Sequence, residues 1–366
     1  MHPNPNLTTD EVLWAMESTG LPLREWGKAL DGTPLIAARA GGDRLPAIFV
    51  TAGAHCTETA GVHASLELLR RLKTEHQVHV LPLRDPVGFG GVDRCLSLAA
   101  GEEIKITDPQ MSLDVLRDRA NLLWSEGNLY LFQWGEIGFV WGPPTQGLET
   151  FWAQFALTGR LPQEAPEALR SLLGRSIFFL NVNATIEGAG ALQRCYHTVL
   201  GHDGQWLHLN RFFGQSEAPP EVAAVDALIQ EVKPGLTIDL HEGNGQGFWM
   251  PIPRPETGQE RVLSMTQAFF SYIQEQGYPV ETYEHWQESN GIEAADPNWM
   301  VPEPDLEGMF WLQQERRQEG PNLMTYAARV GIGYGTEAPM EQPLAMRVDG
   351  LTHGILRAIQ VWEQTC

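Results

Sequence analysis

An unbroken apolar run, Ile48-Phe49-Val50, runs into Gly53, and a helical pattern begins near Gly61. That arrangement leaves the chain few options. A strand apolar on both faces has to be covered on both faces, the condition of a parallel strand in an α/β sheet. The segment after Gly61, VHASLELLRRL, has helical periodicity and carries Arg70 and Arg71 in its last turn. Between strand and helix stand His55 and Glu58, on the loop at the carboxyl end of the strand. Open α/β sheets gather their ligands at that end. An imidazole nitrogen and a carboxylate oxygen three residues apart can converge on one divalent metal.

The alternation of strand and helix recurs along the chain. Thr8 or Thr9 caps a predicted helix through Met16, and two strands are predicted around the turn Asp31-Gly32. Further strands are predicted at 46–52, at VHVLPL (78–83), SIFFLNVNA (176–184), TIDLHEG (237–243) and IGYGTEAP (332–339). Helices are expected over 255–277 and in the closing amphipathic segment VDGLTHGILRAIQVWEQ, whereas 283–322 reads as irregular. This order predicts an α/β fold with a mixed, largely parallel central sheet flanked by helices. One catalytic domain is expected over residues 1–366, with a Trp-rich insertion at 92–175 that holds Trp124, Trp134, Trp141, Trp152 and the stretch GPPTQG. Aromatic residues there are expected to serve as core before they serve as a substrate platform.

Charge narrows the partners. Twenty-five basic against 46 acidic side chains give a formal net charge of −21, a surface that repels nucleic acid and anionic membranes. The first residues, MHPNPNLTTDEVLWAM, show no basic region followed by an apolar core, and no apolar run reaches bilayer-crossing length. The four cysteines, Cys56, Cys95, Cys195 and Cys366, have no C-x-x-C spacing, so a reduced, cytoplasmic protein is expected, with Cys56 a bystander between His55 and Glu58.

A His-x-x-Glu spacing occurs twice, as His55/Glu58 and as His285/Glu288. The second pair lies in the polar stretch EHWQESN with no strand leading into it, and reads as a solvated decoy. His241 ends its predicted strand, and Glu337 follows GYGT in another. With His55 and Glu58, His241 completes a His₂Glu set of the kind that holds a catalytic zinc ion with one position open. Neither an all-oxygen loop nor a thiolate group is present. The sequence also lacks G-x-x-x-x-G-K-[ST], G-x-G-x-x-G and G-x-S-x-G, the usual nucleotide-binding and serine-hydrolase signatures. GNGQG (243–247) and GIGYG (331–335) read as loops that permit close backbone approach.

The order GAHCTE, LPLRDPVGF, LHLNRFF, IDLHEG, GTEAP resembles the zinc metallocarboxypeptidase family over residues 25 to 360 or so. The resemblance implies that His55, Glu58 and His241 ligate one zinc ion and that Glu337 is the general base. It implies that Asn210 and Arg211 hold the terminal carboxylate of a substrate and that Arg194 polarises the scissile carbonyl. Arg suits both tasks, as a bidentate partner for carboxylates and as a fixed charge facing a developing oxyanion. The implied activity is zinc-dependent hydrolysis of a C-terminal amide bond, on a peptide with a free carboxylate. The related aspartoacylase and succinylglutamate desuccinylase group, acting on N-acyl amino acids, is the alternative, and a catalytically inactive zinc-binding protein a further one. Only 29 residues follow Glu337, mostly in one helix, which favours the carboxypeptidase side. The chain departs from the family in three ways. Glu58 and His241 lie unusually far apart, the excess falling in the Trp-rich insertion. His208 stands where the family often has Asp, which changes the partner of a zinc-bound His. The family's substrate-binding Tyr has no counterpart in FWLQQERRQEG before Tyr326.

Overall fold

A computed structural model describes residues 3–142, 167–180, 186–290, 299–313 and 320–366. Its strands, in chain order, begin with β1 (Leu23–Lys28), β2 (Pro34–Gly41), β3 (Arg44–Ala52) and β4 (His76–Leu81). Next come β5 (Asn121–Glu126), β6 (Leu129–Trp134), β7 (Ile137–Trp141), β8 (Arg175–Phe179), β9 (Tyr196–Leu200) and β10 (Trp206–His208). The last are β11 (Leu236–Gly243), β12 (Met250–Pro253), β13 (Met300–Pro302), β14 (Met309–Leu312) and β15 (Ile332–Pro339).

The central sheet has the order β1-β2-β4-β3-β11-β15. Its last four strands are parallel, and β1 and β2 extend it antiparallel at one edge. The predicted mixed, largely parallel α/β sheet is therefore what the chain forms. Both faces are covered, as the apolar run of β3 requires. Ile48 and Val50 pack with the helices Thr59–Arg71, Gln259–Glu275 and Leu344–Gln364, while Phe49 packs on the other side with Val222, Val225 and Ile229 of helix Pro220–Val232. Side chains alternate along a strand, so one continuous apolar run feeds two cores.

A second sheet, β10-β9-β8-β7-β6-β5, is antiparallel except for the β7–β8 pair. Here the sequence expectations need correction. The strand expected at 176–184 is β8, which belongs to this second sheet; residues 181–184 lie outside the described residues. Of the tryptophans singled out, Trp141 is buried and Trp124 and Trp134 are half-buried, while Trp152 and most of GPPTQG lie outside the described residues. Residues 283–322, expected to be irregular, contain helix Tyr283–Asn290 and the strands β13 and β14, which join β12 in a third sheet. Trp249, Trp286, Trp299 and Phe310 bury one another there. Burial among aromatics stabilises these short elements despite the Pro and Glu that break their periodicity. Cys56, Cys95 and Cys195 are buried free thiols and Cys366 is exposed. Among the described residues no helix is long and apolar enough to cross a membrane.

Candidate metal centre

The centre is assembled by two close backbone approaches. β3 ends at Ala52, and Gly53 takes a positive φ of 63°, which turns the chain away from the sheet. A Cβ at that position would stand 2.8 Å from Leu83 Cδ1. Helix Thr59–Arg71 then starts with Glu58 as its N-cap residue. A Cβ on Gly61 would stand 2.8 Å from the Leu240 carbonyl oxygen, so only glycine lets the first turn of the helix lie directly on β11. That contact delivers Glu58 to His241, 183 residues further along the chain.

His55 Nδ1 lies 2.5 Å from Glu58 Oε1, and His241 Nδ1 lies 2.7 Å from Glu58 Oε2. Both imidazoles thus turn the same ring nitrogen towards one carboxylate. The ligand atoms of the three residues all lie within 4.8 Å of one another. Donors about 2.1 Å from a tetrahedral ion stand about 3.4 Å apart, so the set fits one metal of the zinc class. Glu58 and His241 are buried, and His55 is nearly so. Burial raises the Glu58 carboxyl, but the two imidazoles outweigh it and hold the group below its ordinary range. Burial lowers His241, yet Asp239 and Glu58 prevail and push it well up. Carboxylates crowding one imidazole make this pocket favourable for positive charge.

The outward nitrogens are also engaged. His241 Nε2 is 2.8 Å from Asp239 Oδ2 and 3.1 Å from Asn210 Nδ2. Asp239 is fully buried and accepts two hydrogen bonds from Arg84 Nη2, at 2.8 and 3.0 Å. Burial raises its carboxyl, and the Arg84 charge with the His241 and His55 imidazoles lowers it, with a net result of about 2. His55 Nε2 lies 2.8 Å from His208 Nδ1, and the ring of Tyr196 stacks on His55 at a centroid distance of 5.6 Å. Such partners orient a ligating imidazole and set its tautomer.

Glu337 stands directly opposite His241 in the parallel β11–β15 register, and paired residues project from the same face of a sheet. Its backbone exchanges two hydrogen bonds with Trp249, at 3.0 and 2.8 Å. Its Oε2 lies 3.1 Å from where a Gly243 Cβ would be, so the glycine opens room for the carboxylate beside His241. Glu242 points from the opposite face. It binds the Ala60 N–H and Arg347, away from the cluster.

The remaining expected residues divide. Asn210 reaches the cluster, but its side chain is buried and committed: Nδ2 faces His241 and Asp239, and Oδ1 accepts from Leu323 N at 3.1 Å and Arg84 at 3.4 Å. Both polar atoms of the side chain are engaged by these protein partners. Arg211, half-buried beside His208, donates to the Asn210 carbonyl at 2.9 Å. Arg194 makes no hydrogen bond to His55, Glu58 or His241 among the described residues, although its Nε lies 3.5 Å from Oγ1 of the neighbouring Thr59. It donates to the carbonyls of Leu7, Phe89 and Gln193, each at 2.8 Å, and lies over the Phe89 ring at 3.7 Å. Burial pushes its pKa down to about 10. The guanidinium is thus engaged by three backbone carbonyls, one of them in the N-terminal segment. His285 pairs with buried Glu281 and not with Glu288, and it lies in a helix apart from the cluster.

Sequence reasoning assigned no role to Asp239, Arg84 or Tyr196. Asp239 had a readable signal, since it lies two residues before His241 and so on the same face of the strand. Arg84 had a weaker one, at the end of the β4 strand segment. Tyr196 had none, because only the second sheet brings it to His55.

No family model matches the sequence, and no curated protein matches it. Solved structures do align with the chain at low identity. A provisionally assigned metallopeptidase from Shewanella denitrificans OS217 is 12% identical, over 97% of this chain and 90% of that one, with a TM-score of 0.49. A metallo-carboxypeptidase from Burkholderia cenocepacia is 11% identical over 97% of this chain and 69% of its own, TM-score 0.48. A metallo-carboxypeptidase from Pseudomonas aeruginosa, in complex with (2-guanidinoethylmercapto)succinic acid, is 10% identical over 97% and 68%, TM-score 0.46.

Proposed function

We propose that the chain is a zinc-dependent hydrolase that cleaves a C-terminal amide bond, with His55, Glu58 and His241 holding one zinc ion and Glu337 acting as general base. One observation carries the reading. Two histidine Nδ1 atoms and one carboxylate converge at strand ends while a second carboxylate stands in register beside them. Bound there, zinc supplies Lewis acidity, lowering the pKa of a coordinated water from about 15.7 to about 7 and polarising a carbonyl.

The chain's own groups supply the rest. Glu337 takes the proton from the attacking water and passes it to the departing amine, work suited to one carboxylate beside the ion. The absence of a side chain at Gly243, whose Cβ would stand 3.1 Å from Glu337 Oε2, leaves that carboxylate its place. Arg211 is the candidate anchor for the substrate's free carboxylate, since a guanidinium can meet a carboxylate with two parallel hydrogen bonds. Asn210, Asp239 and Arg84 hold His241 in orientation. Arg194 takes no part in the chemistry.

Metal analysis of the purified protein together with a hydrolysis panel tests the proposal. The panel comprises blocked dipeptides, peptides with acidic tails, and N-acetyl and N-succinyl amino acids. Glu337→Gln is expected to retain zinc and substrate while turnover falls by roughly 10²–10⁴-fold, as for a positioned acid–base group. A fully active Glu337→Gln variant, or one that has lost its zinc, refutes the role. Turnover of N-acyl amino acids alone moves the substrate class to deacylation.

A further inference from the structure

Helix Thr59–Arg71 receives no side-chain cap from its own N-cap residue. Its N-cap residue is Glu58, a side chain able to accept from the first free N–H groups of the helix, yet it makes no such bond. The Glu58 carboxylate is turned instead towards His55 and His241. The vacant capping role is filled from another element. Glu242, next to His241 on β11 but on the opposite face, accepts the Ala60 N–H at 2.5 Å. Its second oxygen pairs with Arg347, and both side chains are fully buried. Arg347 Nη2 in turn donates to the Glu187 carbonyl at 2.7 Å, and Glu187 Oε2 accepts from Leu344 N at 2.8 Å. One carboxylate therefore joins the strand that carries His241 to the helix that begins just after Glu58.

We propose that Glu242, held in place by Arg347, is a positioning residue of the metal centre: by capping the helix from the neighbouring strand it frees the Glu58 carboxylate for the ion. The inference rests on the metal site proposed above. The physical choice is a competition. The N–H groups of the first turn must be satisfied, and in the absence of Glu242 the carboxylate of the N-cap residue, Glu58, is an acceptor adjacent to them in the chain. A Glu58 that turns back to cap its own helix is lost as a ligand. Arg347 is needed because an unpaired carboxylate at this depth is strongly disfavoured, and the pair as a whole can be exchanged for uncharged groups at little expense in stability.

That exchange separates positioning from simple support. In Glu242→Gln/Arg347→Met the amide oxygen still accepts from Ala60. In Glu242→Leu/Arg347→Met the buried charges are likewise gone, but so is the acceptor. Zinc affinity is measured for both by competition with a chelating dye, with the cobalt(II) absorption spectrum as a second report on ligand geometry and thermal unfolding as the check on folding. The Gln variant is expected to bind zinc within threefold of the parent. The Leu variant is expected to bind 10–100-fold more weakly, the range typical of lost supporting partners, with an altered cobalt spectrum. Should the Leu variant fail to fold, the smaller Glu242→Ala/Arg347→Met takes its place with the same expectation. Equal affinities in the two double variants overturn the role of Glu242 and leave the metal site standing. A parent chain that does not bind zinc, or binds it unchanged after His241→Ala, refutes the site and this inference with it.

Discussion

Asp239→Asn probes the charge balance under the metal centre. Asp239 is fully buried, accepts twice from Arg84 and lies 2.8 Å from His241 Nε2. Its carboxyl stands at about 2 against an ordinary 3.8, because the Arg84 charge together with the His241 and His55 imidazoles more than offsets burial. A gap of just under two units, at 1.36 kcal/mol each, corresponds to about 2 kcal/mol of stability. The folded pKa is the depressed one, so this contribution is fully present above about pH 4 and is lost as pH falls through about 2. Asparagine removes it and also leaves the Arg84 guanidinium, 4% exposed, without a counter-charge. Breaking a buried pair on one side costs about 3–5 kcal/mol. Urea unfolding of parent and variant at pH 7, 5 and 3 measures the difference. A loss of about 3–5 kcal/mol is expected at pH 7, shrinking as the medium is acidified, with most of it recovered in Arg84→Met/Asp239→Asn. A loss below about 1 kcal/mol at pH 7, or one that does not shrink towards low pH, refutes the reasoning.

Two further outcomes follow from the geometry. His241→Ala is expected to lower bound zinc sharply while His285→Ala leaves it unchanged, since His285 faces Glu281 and not the cluster; equal retention by plasma emission analysis sinks the ligand assignment. Arg211→Gln is expected to raise KM for a free-acid substrate by about tenfold or more, the scale of a lost charge-assisted hydrogen bond of 1.5–3 kcal/mol, and to leave the C-terminal amide little affected. A parent enzyme that cleaves acid and amide equally well shows that the pocket reads something else.

The parts of this molecule legible in the sequence are those set by strand periodicity and strand ends. Ile48-Phe49-Val50 demanded a strand covered on both faces, and the two cores it feeds are there. Once those strands are parallel neighbours, His55, Glu58, His241 and Glu337 arrive at one edge by topology alone. What stayed hidden was set by contacts between distant elements. The second sheet brings Tyr196 and His208 to His55 through strands whose aromatic content reads as core of no particular direction. Arg194 illustrates the limit in the other direction. It lies sixteen residues before Asn210, and only the three-dimensional route of the chain shows its guanidinium bound to Leu7, Phe89 and Gln193. Asn210 belongs to the same lesson, since a motif names a side chain but not the partners that already occupy it.

His208 joins the sequence reading to a last measurable consequence. If His55 ligates through Nδ1, its proton resides on Nε2, and that N–H meets His208 Nδ1 at 2.8 Å. His208 must then accept, which requires it to be neutral with its own proton on the far nitrogen. Its surroundings agree: burial first, then the nearby Arg211 charge, press its pKa well below the ordinary value. A neutral acceptor makes a ligating imidazole less electron-rich than a carboxylate acceptor would, so on the proposed ligand set this arrangement would hold zinc less tightly than the same site with an anion at 208. His208→Ala leaves the His55 N–H without its partner and is expected to weaken zinc binding about tenfold or more. His208→Asp restores an acceptor and adds negative charge next to Arg211, and is expected to bind zinc at least as tightly as the parent. The two substitutions remove the same ring, so loss of packing alone predicts the same change for both. An Asp variant as weak as the Ala variant by dye competition rejects the acceptor role and returns His208 to packing.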